Sequence, residues 1–88
     1  MAWSVNFEPR ALDELEKLDR AAQKRIVAFC QKHFPREGNP RLWAKALAGN
    51  KVGLWRYRIG SYRMVCRIDD ETQTVLVLRV AHRKDVYR

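Results

Sequence analysis

The stretch "LWRYRIGSYRMVCR", residues 54–67, decides the fold, because alternating side chains flank a two-residue loop on both sides. Glycine at position 60 is the first loop residue, and this position of a type II′ hairpin turn favours glycine. We therefore predict an antiparallel hairpin of two strands, Leu54–Ile59 and Tyr62–Asp69, with the two residues that flank the loop directly opposite each other.

This register divides the hairpin side chains between two faces of a sheet. The face predicted to meet the core carries Trp55, Tyr57, Ile59, Met64, Cys66 and Ile68. The opposite face carries Leu54, Arg56, Arg58, Arg63, Val65 and Arg67. Arg58 would oppose Arg63, and like charges in that position destabilise a sheet by up to about 1 kcal/mol. A bound anion would offset this repulsion, so the pattern indicates a polyanion-binding face.

The remainder of the chain supplies two helices and two further strands, one strand before the helices and one after the hairpin. Alternation from Trp3 to Phe7 predicts a first strand. After Pro9, the apolar stripe of Leu12, Leu15 and Leu18 predicts a helix over 9–17. Asp19 is placed to cap a second helix, which Phe34–Pro35 ends. The segment "TVLVLRVAHR", residues 74–83, predicts the last strand.

The predicted fold class is α+β, with the order β-α-α-β-β-β. Two helices pack on one face of a mostly antiparallel four-stranded sheet, and "KDVYR" forms a short C-terminal tail. Residues 1–88 form a single domain, consistent with the chain length. The segment "RLWAKALAG", residues 41–49, is ambiguous and is read as one helical turn ended by glycine.

The direction of the last strand's side chains is left open by its preceding turn, because "DDETQ" can hold four or five turn residues. Avoidance of buried charge favours Leu76, Leu78 and Val80 facing the core. Arg79 and Arg83 would then share the outward direction of the hairpin arginines.

Charge is distributed unevenly along the chain, whose net charge is +8. Five of the ten acids lie between Glu8 and Asp19, whereas residues 39–68 contain no acid. The cations of this acid-free segment are Arg41, Lys45, Lys51, Arg56, Arg58, Arg63 and Arg67. A one-sided field attracts polyanions or acidic proteins. Arginine forks bind phosphate oxygens in pairs and stack on bases, which favours nucleic acid.

Cys30 and Cys66 are far apart, without the paired ligand spacing of a zinc site, and we read them as two buried thiols in a reducing compartment. A single disulfide stays open as an alternative. No metal or cofactor is expected. No apolar run approaches the roughly 20 residues of a membrane span, so we expect a cytoplasmic protein with no membrane partner.

The C-terminal half, from "LWRYRIGSYRMVCR" through "VAHRKDVYR", resembles the RelE toxins of the RelE/ParE superfamily of bacterial toxin–antitoxin systems. The resemblance is carried by the arginine-rich strand, the Gly-x-Tyr-Arg turn at Gly60–Arg63, the acidic turn and the ending. "PRALDELEKLD" resembles the first helix of the family. The likeness covers essentially the whole chain.

The resemblance implies a ribosome-dependent endonuclease that cleaves messenger RNA in the A site by attack of the RNA's own 2′-hydroxyl, without a metal. It implies that Arg63 stabilises the transition state, that Arg83 lies near the leaving group, and that Tyr87 contacts the RNA and takes part in catalysis. Arg56 stands where the family has a catalytic lysine. A second family lysine falls on Leu54 here.

The general base and acid are not identified by the sequence. Arg56 is a poor base, because arginine keeps its proton at any ordinary pH. Lys51 and His82 are the other candidates, together with Tyr87. Arg58, Arg67, Arg79, His82 and Lys51 are predicted to bind RNA through charge.

The implied partners are a cognate RelB-like antitoxin, contributing an acidic or amphipathic helix, and the ribosome with its messenger. Three alternatives stay open. A ParE-like poison of DNA gyrase shares the fold, and a non-catalytic RNA-binding module needs the arginines but not Tyr87. The third is an inert, antitoxin-bound member of a decayed toxin–antitoxin pair.

Overall fold

The computed structural model describes residues 3–34, 38–49 and 53–82. In chain order the elements are β1 (Ser4–Phe7), α1 (Pro9–Glu16), α2 (Arg20–His33), a 3₁₀ helix (Pro40–Trp43), β2 (Lys45–Ala46), β3 (Trp55–Ile59), β4 (Tyr62–Asp69) and β5 (Thr74–His82). Within these residues the strands form one sheet in the order β1-β5-β4-β3-β2. The β1–β5 pair is parallel and the other pairs are antiparallel. The predicted α+β class and element order are confirmed.

The sheet has five strands rather than the four predicted, because β2 adds an edge strand beside β3. Lys45 pairs with Arg56, and Ala46 pairs with Trp55. Both β2 residues are exposed, so the segment lacks the alternation of buried and exposed side chains that would predict a strand. Part of the helical turn predicted in this segment is present in the 3₁₀ helix that precedes β2.

The hairpin register is confirmed from one end to the other. Ile59 pairs with Tyr62 across the loop, Arg58 pairs with Arg63, and Trp55 pairs with Cys66. Gly60 has φ +60°, and the second loop residue, Ser61, is not among the described residues with positive φ. A type II′ turn requires this combination.

Both helices begin where the sequence predicts. Pro9 occupies the first turn of α1, and the Asp19 carboxylate accepts a hydrogen bond of 2.8 Å from the backbone N–H of Ala22 at the start of α2. On α1 the core contacts come from Ala11 and Leu15, while Leu12, predicted on the same stripe, is 46% exposed. No helix in the described residues is long and apolar enough to cross a membrane.

The hydrophobic core lies between the two helices and one face of the sheet. Its buried members are Trp3, Ala11, Leu15, Ile26, Cys30, Phe34, Tyr57, Ile59, Met64, Cys66, Val75, Val77 and Val80. The two cysteines are buried free thiols, as predicted. Burial raises the pKa of Cys30 to about 11 and also raises the pKa of Cys66.

The last strand contains a bulge that overturns part of its predicted facing. Val65 pairs with Arg79 and the next residue, Cys66, pairs with Val77, so Leu78 is an extra residue in β5. The core therefore receives Val75, Val77 and Val80, all almost fully buried. The prediction is correct for Val80 and wrong for Leu76 and Leu78, which are only half-buried. Strict alternation fails because the bulge changes the phase of the strand midway.

Candidate nucleic-acid interface

The face of the sheet that points away from the helices carries Arg56, Arg58, Arg63 and Arg67, and we call it the arginine face. These residues alternate along β3 and β4 with core residues, which fixes their direction. Arg58 and Arg67 are exposed, while Arg56 and Arg63 are half-buried. The Arg58–Arg63 pair lies directly across the hairpin, so two guanidinium groups leave the sheet side by side.

The floor of the arginine face is apolar at Val65, which is only 4% exposed although it lies outside the core under the helices. Its paired neighbours on the two adjacent strands are Arg56 and Arg79. Long arginine stems can cover apolar surface while their charged ends stay in water. The face is thus a packed layer with a charged outer side rather than a set of loose side chains.

Arg79 has a different environment from the hairpin arginines. Its Nε donates hydrogen bonds of 3.0 and 3.2 Å to the two carboxylate oxygens of Glu14 on α1. The same carboxylate accepts a 2.9 Å bond from the backbone N–H of Val80. Glu14 and Arg79 are each only 22% exposed. Glu14 therefore accepts the hydrogen bond of a β5 backbone N–H that lies beyond the end of β1. The same carboxylate neutralises the charge of Arg79 within the protein.

Arg41 is also paired with an acid. Its guanidinium forms a two-point contact with Asp70, at 3.1 and 2.8 Å, and lies 5.6 Å from the centre of the Trp55 ring. The hydrogen bond from Arg41 lowers the pKa of Asp70 below its ordinary value. Beneath it, the Tyr57 hydroxyl donates a 2.7 Å bond to the carbonyl oxygen of Pro40, and burial raises the pKa of that hydroxyl.

Among the residues that the structure describes, neither Arg58 nor Arg67 forms an ion pair with an acid. Their charges are available to an outside anion. Each arginine offers five N–H donors in a planar fork, which suits the oxygens of a phosphodiester.

The remaining predicted site residues lie at the end of β5 or beyond the described residues. His82 pairs with Tyr62 across the β4–β5 ladder, and their rings meet edge to face at 5.8 Å. Lys51, Arg83 and Tyr87 lie outside the described residues. Within the described ranges no group of three or more histidine, cysteine or acidic residues is placed to hold a metal ion.

Sequence reasoning missed a groove at the β2 edge of the arginine face. It has a volume of about 490 Å³ and is lined by Leu42, Trp43, Ala44, Lys45, Arg56 and Arg58. Leu42 is 75% and Trp43 39% exposed, so the two neighbouring side chains present apolar surface at the groove. The signal was present in "RLWAK", where an aromatic residue stands between two cations.

Comparison with known proteins defines the class as a toxin of a type II toxin–antitoxin system. The family model for ParE toxins of the type II toxin–antitoxin system parDE matches residues 5–87. Toxin RelG of Mycobacterium tuberculosis is 39% identical over 88 residues, spanning 100% of this chain and 99% of RelG. The chain belongs to this ParE toxin family, within the RelE/ParE superfamily.

Solved structures agree with this assignment. The toxin–antitoxin complex RelBE2 of Mycobacterium tuberculosis contains a chain that superposes with a TM-score of 0.85 at 36% identity, covering 94% of this chain and 100% of that one. An arginine mutant of E. coli toxin RelE in the free state gives a TM-score of 0.74 at 27% identity, covering 93% and 84%. The resemblance to RelE-type toxins is confirmed.

Proposed function

We propose that this toxin inhibits translation as a ribosome-dependent endonuclease that cuts messenger RNA in the A site. The observation that carries the proposal is the arginine face, where the exposed Arg58 and Arg67 form no ion pair within the described residues. A polyanion across the face would neutralise both charges, and RNA supplies two or more phosphates to do so. The relatives support this choice, since they include toxins named RelG and RelE.

The reaction needs no outside nucleophile. The 2′-hydroxyl oxygen attacks the adjacent phosphorus, and the bond from phosphorus to the 5′-oxygen of the next nucleotide breaks. The 2′-hydroxyl proton goes to a base, and the leaving 5′-oxygen receives a proton from an acid. The products are a 2′,3′-cyclic phosphate and a 5′-hydroxyl, so no water and no metal ion enters the bond-breaking step.

Arg63 has the position best suited to the transition state. It is half-buried at the base of the hairpin turn, and a donor with restricted motion stabilises developing charge without reorganising. Arg58 and Arg67, exposed on either side, bind the flanking phosphates. Arg56 contributes charge rather than basicity. Arg83 at the leaving group and Tyr87 against the RNA complete the proposed site, with Lys51 or His82 as further proton carriers.

The second proposed partner is a cognate antitoxin of the RelB type. The matched RelBE2 structure is a toxin–antitoxin complex. A chain of net charge +8 attracts an acidic or amphipathic segment. An antitoxin that covers the arginine face or displaces the C-terminal tail would block RNA and so neutralise the toxin.

The test is a preassembled ribosome complex with a defined messenger, incubated with purified toxin and followed by mapping of RNA ends. We expect one cut in the A-site codon, a 2′,3′-cyclic phosphate, and no cleavage when the nucleotide 5′ to the scissile bond carries a 2′-methoxy group. A 3′-hydroxyl at the cut, or unchanged cleavage of the 2′-methoxy messenger, would refute the mechanism.

DNA gyrase is the second candidate target, favoured by the match of a ParE toxin model over residues 5–87. Supercoiling assays with purified gyrase separate the two candidates. Trapped double-strand DNA breaks together with an intact messenger would favour gyrase. Tight RNA binding with neither product would indicate a non-catalytic RNA-binding protein.

A further inference from the structure

The groove beside the arginine face has a built aromatic wall. The ring of His33 on α2 lies between two other rings, with centroid distances of 4.4 Å to Phe29 and 5.0 Å to Trp43. Phe29 in turn packs against the core. This row of rings supports the Trp43 indole from the helix side, while 39% of the residue stays exposed beside the groove. A supported ring loses little freedom when a flat group stacks on it.

The other wall of the groove is cationic. Lys45, Arg56 and Arg58 line it, and no acidic residue is among the lining residues. Arg56 and Arg58 also belong to the arginine face, so the groove is continuous with the surface proposed to hold the scissile phosphate. Lys45 is paired with Arg56 across β2 and β3, which places a further cation one strand outward from the face.

We propose that this edge groove is an RNA subsite, in which the base of a nucleotide next to the cleaved pair stacks on Trp43 while Lys45 binds its phosphate. This inference rests on the proposed function for the location of the scissile strand. The combination of an aromatic platform with a cationic wall is typical of single-stranded nucleic-acid sites, where each base stacks and each phosphate meets a cation. Base stacking tolerates different sequences, so the subsite would add affinity rather than a strict base preference.

An acidic amphipathic peptide is the competing occupant, because Leu42 and Trp43 both expose apolar surface. Charge continuity with the arginine face favours RNA. The two occupants also differ in what they need, since a peptide would bury Leu42 as well as Trp43, whereas a stacked base needs only the aromatic ring. Leu42 therefore serves as the discriminating position.

The experiment measures binding of the full chain to a fluorescently labelled 12-nucleotide RNA with 2′-methoxy groups, by anisotropy over a range of salt concentrations. Trp43→Ala is expected to weaken binding about 10- to 100-fold, the usual effect of removing one stacking ring. Trp43→Phe should recover most of that loss. Lys45→Gln should lower the slope of log K against log salt by about 0.7, the value for one lost phosphate contact on a single strand.

Lys24→Gln is the matched charge control, because Lys24 is exposed on α2 and lines neither the groove nor the arginine face. It should leave the salt slope unchanged. Circular dichroism and urea unfolding check that each variant keeps its fold. Single-turnover cleavage on ribosomes should show that Trp43→Ala raises the half-saturating concentration more than it lowers the maximal rate, because stacking is the same in the ground and transition states.

Unchanged RNA affinity in folded Trp43→Ala would overturn the subsite. A loss in Leu42→Ala as large as that in Trp43→Ala would overturn it in favour of an apolar peptide surface. Failure of the proposed function is recognisable separately, since a wild-type protein that cuts no messenger still reports Trp43-dependent RNA binding in the anisotropy arm.

Discussion

Four arginines of this small protein fall into two pairs with opposite environments, Arg41 and Arg79 in one and Arg58 and Arg67 of the hairpin in the other. Arg41 and Arg79 each meet a carboxylate with two contacts, from Asp70 and Glu14. Arg58 and Arg67 meet no acid in the described part of the chain. Arg41 and Arg79 are thus neutralised by carboxylates within the protein, and their contacts stabilise the fold. Leaving Arg58 and Arg67 to an outside anion is the arrangement expected of a binding surface.

The largest expected difference between the two groups concerns catalysis. Arg63→Ala should slow single-turnover messenger cleavage about 100- to 1,000-fold, the usual effect of removing one preorganised donor to a transition state. Arg58→Ala, on the other side of the same pair, should lose less activity. Equal activity losses in the two variants would contradict separate roles for the two arginines.

On the paired side, the largest effect should be on stability. Glu14→Ala leaves the Val80 N–H and the Arg79 guanidinium without their acceptor, and we expect a loss of about 2 kcal/mol in urea unfolding. Glu14→Gln keeps an oxygen acceptor and should lose roughly half as much. Exposed Glu16→Ala on the same helix is the control. Equal losses of unfolding free energy in Glu14→Ala and Glu16→Ala would show that the Glu14 contacts do not stabilise the fold.

The repulsion between Arg58 and Arg63 predicts a small gain. Arg58→Ala should raise the unfolding free energy by up to about 1 kcal/mol at low salt, and the gain should shrink as salt screens the pair. Arg67→Ala is the matched control, because Arg67 pairs with Leu76 and not with a cation. A stability loss in Arg58→Ala at low salt would show that the pair does not repel.

The smallest effect should be that of the Arg41–Asp70 pair, and it depends on pH. Because Arg41 lowers the pKa of Asp70, the pair stabilises the fold above the ordinary aspartate pKa of 3.8. That stabilisation is lost as the pH falls through the lowered pKa of the folded state. The difference in urea midpoint between wild type and Asp70→Asn should therefore be constant near neutral pH and vanish in acid. A difference that grows as the pH falls would contradict the assigned direction.

Sequence reasoning succeeded where one local feature controls many residues. The two-residue loop at Gly60 fixes the pairing from Ile59–Tyr62 to Trp55–Cys66, and all of it is confirmed. The cap at Asp19 is confirmed for the same reason, since its hydrogen bond is made within three residues.

The errors arise where tertiary contacts decide. Lys45 and Ala46 form a strand only because β3 offers a free edge, and their exposed side chains carry no pattern. Leu12 lies on the predicted stripe of α1, yet Ala11 takes the core position. The Glu14–Arg79 contact joins residues 65 positions apart, and nothing local to either residue indicates it.

The bulge at Leu78 has a consequence for how this strand can vary over evolution. An insertion or deletion of one residue within a strand normally turns every side chain beyond it to the opposite face of the sheet. The apolar side chains then leave the core, and the fold is disrupted. Here the extra residue has already reversed the strand once, and the core residues Val75, Val77 and Val80 stand on both sides of it. Deleting Leu78 would bring these three valines into plain alternation. The core would keep its residues, and the pairs Val65–Arg79 and Cys66–Val77 on the two sides of the bulge would be kept as well. The loss of one codon could thus straighten this strand without redesigning the interior.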